Sequence, residues 1–139
     1  MPKYMLIMRG TDEGLAAYEK LDFSEVMAAM SRYNESMIDA GVLTAGEGLA
    51  DAAESVVVDL SSDTPVVTDG PYGETKELFN GFWILDVASK EEAVEWAKRA
   101  PLVGPGNKLE VRRVQGAEDF PDGEWAQKEA EWRTELGTD

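Results

Sequence analysis

The sequence predicts an α+β domain in which a four-stranded antiparallel sheet carries two helices on one face. Three observations predict it: a short apolar strand near the N-terminus, two capped amphipathic helices, and aromatic or β-branched strands between and after them. With a small extra hairpin set aside, the elements follow the order β-α-β-β-α-β, which is the ferredoxin-like arrangement.

The first half of the fold begins with a buried strand over residues 3–9, where five apolar residues lie between basic ones. Residues 10–20 are polar and mixed, so we expect a loop there, with room for a helical turn. The first helix covers residues 22–40, because Asp22 and Glu25 have the capping-box spacing and apolar residues follow with helical periodicity. Gly41 then ends the helix as a left-handed C-cap.

The central strands follow this helix. Residues 42–49 are predicted to form a strand with a bulge or a close backbone approach at the two glycines beside Glu47. A β-branched run at 54–60 and a short partner at 65–68 form the extra hairpin. Residues 81–87, rich in aromatic and branched side chains, form the next strand of the main sheet.

The second helix begins at Ser89, which has the capping-box spacing to Glu92, and ends before Pro101. A glycine- and proline-rich loop leads to the last strand, 108–114. VGPGN in that loop lacks the lysine of a phosphate-binding loop, so we predict no nucleotide site there.

The predicted domain boundary lies between residues 114 and 115, with a ferredoxin-like domain over 1–114 and an acidic helical extension over 115–139. Trp125 and Trp132 are seven residues apart and would share one face of that helix. The sequence leaves two arrangements of this helix equally open: it docks on its own domain, or it crosses to a partner subunit.

The composition excludes several kinds of chemistry. The chain has no Cys and no His, so disulfides, thiol catalysis, Cys-ligated zinc and His-dependent triads or dyads are ruled out. Acid–base chemistry would depend on Asp, Glu, Lys or Tyr. We predict no cofactor and no metal site, although the many carboxylates leave a hard cation open.

The net charge of −15 makes nucleic acid and anionic membrane poor partners. The N-terminal apolar run is too short for a signal segment or a membrane span, so we expect a cytoplasmic protein.

Strand residues are apolar on both faces of the sheet, and the face without helices must be covered. A second copy meeting it face to face would form a homodimer, and the C-terminal helix is the competing cover.

The stretch PVVTDGPYGETKE, residues 65–77, resembles the signature of the YCII-related family in its DGPF-domain branch. The KYMLIM strand, Ala40–Leu43 leading to Gly46–Leu49, and Glu110–Arg112 agree, so the resemblance covers roughly residues 3–114. It implies a ferredoxin-like domain that pairs through its sheets as a dimeric α/β barrel.

The role of such proteins is mostly unassigned. A few relatives look like small-molecule enzymes, including a dehydrochlorinating lyase, and members of the DGPF branch are often encoded beside extracytoplasmic-function sigma factors. A His-Asp pair proposed as catalytic in some members cannot carry over, because this chain has no His. Tyr72 stands where the branch has Phe.

Two carboxylates are candidate general bases. Asp69 precedes Gly-Pro, where its side chain can fix an Asx-type turn or act at a cleft rim, and the structural role is favoured. Glu47 lies between glycines that leave room for a ligand or for a bulge; if partly buried, it could exchange protons near neutrality.

The other candidate site residues are charged or aromatic groups near the motif or on the sheet. Lys76 and Glu77 would form a charge pair that fixes the motif loop, or bind an anionic group, with Glu74 beside them. Tyr4 and Arg112 would line the same cavity, although solvent is the favoured surroundings of Arg112.

Two functions follow from these candidates. The first is a small-molecule enzyme performing cofactor-independent proton transfer, such as elimination or isomerisation, with Asp69 or Glu47 as base and Lys76 for orientation. The second is a non-catalytic ligand-binding or regulatory accessory protein, linked to an alternative sigma factor.

Overall fold

The computed structural model describes residues 1–70, 77–102 and 104–138. Its helices and strands follow the predicted order, with one additional helix near the N-terminus. They are β1 Lys3–Gly10, α1 Asp12–Glu19, α2 Phe23–Asp39, β2 Leu43–Gly48, β3 Val56–Asp59, β4 Val66–Asp69, β5 Leu78–Asp86, α3 Lys90–Lys98, β6 Lys108–Arg113 and α4 Glu124–Leu136.

The main sheet has the strand order β2-β5-β1-β6, and every neighbouring pair is antiparallel. This is the predicted ferredoxin-like order. Strands β3 and β4 form a separate two-stranded hairpin. The prediction of a hairpin outside the main sheet is therefore confirmed.

The two predicted helices begin where their caps place them. The Asp22 carboxylate accepts a hydrogen bond from the Glu25 amide, 3.2 Å, and the Ser89 hydroxyl accepts one from the Glu92 amide, 3.1 Å. Gly41 follows α2 with φ of 73°, the left-handed conformation that a C-cap glycine supplies.

Helix α1 differs from the loop expected over residues 10–20. The Thr11 hydroxyl accepts a hydrogen bond from the Gly14 amide, 3.0 Å, and Asp12 and Glu13 lie in the first turn. Gly14 is buried, and a Cβ built there would lie 2.4 Å from the Pro105 carbonyl oxygen. This close packing selects a glycine that a sequence pattern reads as a helix breaker.

The core lies between the helices and one face of the sheet. Most of its buried members come from β1, α2, β5 and α3, and they include Tyr4, Leu6, Met37, Trp83 and Trp96. The opposite face, here called the open face, carries two cross-strand apolar pairs, which are Ile7 with Phe82 and Met5 with Ile84.

Helix α4 follows the sheet domain and contacts it at the end of β6. The Arg133 guanidinium donates to the Gln115 carbonyl, and the Lys3 ammonium donates to the Thr138 carbonyl, 2.6 Å. Trp125 and Trp132 are 65% and 52% exposed, so the helix does not use its tryptophan face for these contacts. In the described part of the chain, no helix has the length and hydropathy required to cross a membrane.

Candidate functional site

A cavity of about 350 Å³ lies at the end of the main sheet where β1 ends and β5 begins. Helices α1 and α2 and the segments that follow β2 and precede β6 close its other sides. We call it the end cavity; it is lined by Met8, Arg9, Leu15, Tyr18, Glu19, Met30, Leu49, Ala50, Asp51, Ala52, Leu78, Asn80, Leu102 and Asn107.

Two neutral polar groups in the end cavity have no hydrogen-bond partner among the described residues, the Tyr18 hydroxyl and the Asn80 carboxamide. Both side chains are half-buried. Burial raises the pKa of the Tyr18 hydroxyl above its ordinary value of 10.0, so this group stays protonated at neutral pH. The cavity thus offers one hydroxyl and one amide to a molecule within apolar walls.

A β-bulge explains the position of Asn80. In the register of β1 with β5, Met8 pairs with Gly81 and Arg9 pairs with Phe79, so Asn80 is the extra residue. A bulge redirects one side chain relative to simple alternation. A Cβ built at Gly10 would lie 2.7 Å from the Asn80 Nδ2 atom, so this glycine makes room for the carboxamide beside the cavity.

A row of alternating charges crosses the sheet next to the end cavity. Arg9 contacts Glu77 at 3.2 Å and Glu110 at 2.7 Å, and Lys108 contacts Glu77 at 2.8 Å. Arg112 completes this ion-pair row by its contact with Glu110. The row joins the start of β5 to β1 and β6.

The ion-pair row favours the ionised carboxylates. The hydrogen bond and charge of Lys108 lower the pKa of Glu77 below its ordinary value of 4.5, and Arg9 contributes. The hydrogen bond from Arg9 is the main cause that lowers the pKa of Glu110. Both carboxylates are therefore fixed anions rather than proton carriers at neutral pH.

The predicted bases do not line the end cavity. Glu47 pairs with Phe82 across β2 and β5 on the open face, and it is exposed in the single chain. Asp69 is exposed at the end of β4, opposite Val56. Within the described residues Asp69 has no Asx-type hydrogen bond, and the next residues of the predicted turn lie outside the described part of the chain.

The hairpin nevertheless ends near the cavity wall. The Gly70 amide donates to the Ser55 carbonyl, 2.6 Å, directly after Asp69. Ser55 follows a 3₁₀ turn, Ala52–Glu54, whose first residue lines the end cavity.

The close approach expected at the glycines beside Glu47 is present at Gly46, where a built Cβ would lie 2.8 Å from the Trp83 ring.

The described structure does not bring the other predicted site residues together in one site. Glu74 and Lys76 lie outside the described residues, so the predicted charge pair of Lys76 with Glu77 has no structural description. Glu77 itself pairs with Arg9 and Lys108. Tyr4 is buried in the core and Arg112 is on the open face, so the two side chains do not line the same cavity in the single chain. Strand alternation puts them on opposite faces, since Tyr4 pairs with Arg113 and Met5 with Arg112.

Sequence reasoning missed Tyr18, Asn80 and the end cavity. Tyr18 lies in the segment predicted as a loop, and Asn80 lies just before the predicted start of β5. The asparagine within an aromatic strand, in FNGF, was the only local signal, because asparagine is rare inside strands.

Charged groups of the described chain form no cluster of three or more residues that could hold a metal ion.

Comparison with known proteins places the chain in a family. The YCII-related domain matches residues 3–116, which is most of the chain. The chain belongs to the YCII-related family. An uncharacterized protein of Rhizobium meliloti (strain 1021) is 28% identical to this chain over 110 residues, covering 78% of this chain and 89% of that protein. The YCII-related match contains β1 to β6 and ends before α4.

Proposed function

We propose that this YCII-related protein binds a small molecule in the end cavity. The observation that carries the proposal is the pair of half-buried polar groups, on Tyr18 and Asn80, that have no described partner and lie within walls that are mostly apolar. Pockets that bind small ligands combine apolar walls with a few polar groups that fix orientation. The ligand expected here has an apolar body and one group that bonds both a hydroxyl and an amide.

The ion-pair row supports a structural role for the signature motif in this function. Glu77 is the last residue of the motif, and its contacts with Arg9 and Lys108 attach that end to the sheet. Leu78, which follows, lines the end cavity. In this proposal Glu77 fixes the start of β5, and with it Leu78, at one wall of the cavity.

We further propose that the chain belongs to the DGPF branch, on the basis of Asp69, Gly70 and Pro71, and that it acts in the cytoplasm. A non-catalytic ligand-binding protein also fits the regulatory alternative, in which the protein serves an extracytoplasmic-function sigma factor.

Thermal stabilisation by a library of small metabolites tests the ligand site. A ligand that binds only the native state raises the melting temperature, and the stabilisation grows with the logarithm of the ratio of ligand concentration to dissociation constant. We expect stabilising compounds to bind about tenfold more weakly to Tyr18→Phe, because the variant lacks the hydroxyl that bonds them. Tyr33→Phe is the matched control, since it removes a hydroxyl outside the cavity; equal weakening in both variants would reject the site.

The second candidate function is proton-transfer catalysis on the bound molecule. It is favoured by the carboxylates of Glu19 and Asp51, which line the end cavity together with the Tyr18 hydroxyl. Asp69 and Glu47 remain proposed bases only if the motif loop or a second subunit brings them to the ligand. Asp69→Asn and Glu47→Gln variants that turn over an identified ligand at the wild-type rate would remove both from this role.

A further inference from the structure

The arginines of this chain divide into two groups. Four of them form ion pairs with carboxylates; these are Arg9, Arg112, Arg113 and Arg133. The other two, Arg32 and Arg99, form no salt bridge in the described part of the chain, although the charge of Arg99 helps to lower the pKa of the nearby Glu95. Both line one shallow groove on the outer surface of the helices, here called the arginine groove, with Ala29, Tyr33, Ser36 and Pro101.

The floor of the arginine groove is rigid. The buried Tyr33 hydroxyl donates to the Trp96 carbonyl, 2.8 Å, which joins α2 to α3. The Tyr33 ring contacts the Trp83 ring edge-on, with centroids 5.1 Å apart. The Arg99 guanidinium lies over the Trp96 ring, 4.3 Å from its centroid, so stacking already restricts this side chain. Arg32 extends from the same helix as Tyr33.

The arginine groove is positively charged although the chain as a whole is acidic. The chain carries 28 acidic and 13 basic residues, yet two arginines line one groove without a salt bridge to any described carboxylate, Glu95 being the one acid whose pKa the charge of Arg99 lowers. The C-terminal end of α3 favours a cation at Arg99 through the helix dipole. That effect does not apply to Arg32, which lies in the middle of α2. An anionic ligand would interact with both arginines, Arg32 and Arg99.

We propose that the arginine groove binds the phosphate group of a small molecule. Two guanidinium groups supply paired N–H donors and two positive charges, which match the several oxygens and the double charge of a phosphate monoester. A carboxylate requires only one such donor pair. The arginine groove shares no lining residue with the end cavity, so this site is independent of the function proposed for that cavity.

Titration of the full chain with inorganic phosphate, followed by NMR of the arginine side-chain N–H groups, tests the site. We expect Arg32 and Arg99 to shift together, with a dissociation constant on the order of 1 mM. Arg32→Gln with Arg99→Gln should weaken binding at least about tenfold. The control is Lys20→Gln with Lys90→Gln, which has the same net charge and should bind as wild type.

Three results would overturn the proposal. They are equal weakening in the control, phosphate shifts spread over all arginines, and acetate binding as tightly as phosphate. Arg32→Gln alone provides a second variant, because Arg32 contacts no described carboxylate and is exposed, so its loss does not threaten the fold. It should weaken phosphate binding several-fold while the melting temperature is unchanged; wild-type affinity would contradict the site.

Discussion

At the residue scale, Tyr33 links three parts of the core. It is 5% exposed, its ring contacts Trp83, and its hydroxyl donates to the Trp96 carbonyl. Burial raises the pKa of Tyr33 from 10.0 to about 12, partly opposed by the charge of Arg99. One hydroxyl therefore connects the packing of α2 and α3 to the floor of the arginine groove.

Tyr33→Phe should lower the free energy of unfolding by about 1 kcal/mol. The cost is modest because the Trp96 carbonyl still accepts a hydrogen bond from the Arg99 amide, 3.1 Å. Urea unfolding at neutral pH measures the change. An unchanged unfolding midpoint would show that the hydroxyl bond is not formed in solution.

The same residue predicts a change in stability with alkaline pH. The native pKa of about 12 exceeds the unfolded value of 10.0, so the contribution of Tyr33 is fully present below pH 10. It is lost between pH 10 and pH 12, because the unfolded chain releases its proton first. The stability of Tyr33→Phe should fall less steeply than wild type over this range; parallel curves would contradict the burial of the hydroxyl.

At the element scale, strand β5 sits between β1 and β2 and tolerates no side chain at Gly81. A Cβ built there would lie 2.6 Å from the Met8 Cε atom and 2.7 Å from the Glu47 carbonyl oxygen. The second contact is with backbone of the neighbouring strand, which cannot move without disturbing the sheet. The bulge that presents Asn80 therefore depends on this glycine.

Gly81→Ala should lower the free energy of unfolding by about 1–3 kcal/mol because of this overpacking. Gly48→Ala is the matched control, since a Cβ there meets nothing within 4 Å, and its effect should stay within about 0.5 kcal/mol. Chemical denaturation of both variants makes the comparison. Similar losses at the two positions would contradict the close approach of β2 to β5.

The sequence predicted elements whose signals are local. The capping pairs at Asp22 and Ser89 and the apolar strands specified both main helices and the order of the elements along the chain, which is that of a ferredoxin-like fold. Helix α1 was missed because Gly14 weakens the helical pattern, whereas its packing against Pro105 depends on residues about ninety positions away. The end cavity was missed for the same reason, since α1, β5 and the loop before β6 meet only in the folded chain.

At the scale of the whole molecule, no helix of the described residues lies over the open face. Its apolar pairs, Ile7 with Phe82 and Met5 with Ile84, lie in the centre of the sheet; Ile7 is 6% exposed and the other three side chains are half-buried in the single chain. Helix α4 packs at the end of β6 instead, so the second predicted cover is absent from the single chain. We propose that a second copy covers the open face, which would also bury Glu47.

Light scattering tests this dimer by mass. Wild type should have twice the 15.2 kDa of the single chain, and Ile84→Lys should be monomeric because it puts a charge in the apolar interface. Val58→Lys, on the exposed hairpin, is the control and should remain dimeric. A monomeric wild type would contradict the face-to-face pairing.

The central claim is that a small molecule occupies the end cavity. Its most direct test is a crystal structure of the protein with the compound that stabilises it most against heat. We predict electron density in the end cavity, with polar atoms of the compound within hydrogen-bond distance of the Tyr18 hydroxyl and the Asn80 carboxamide. Density only at another surface, with the end cavity empty at saturating compound, would contradict the claim.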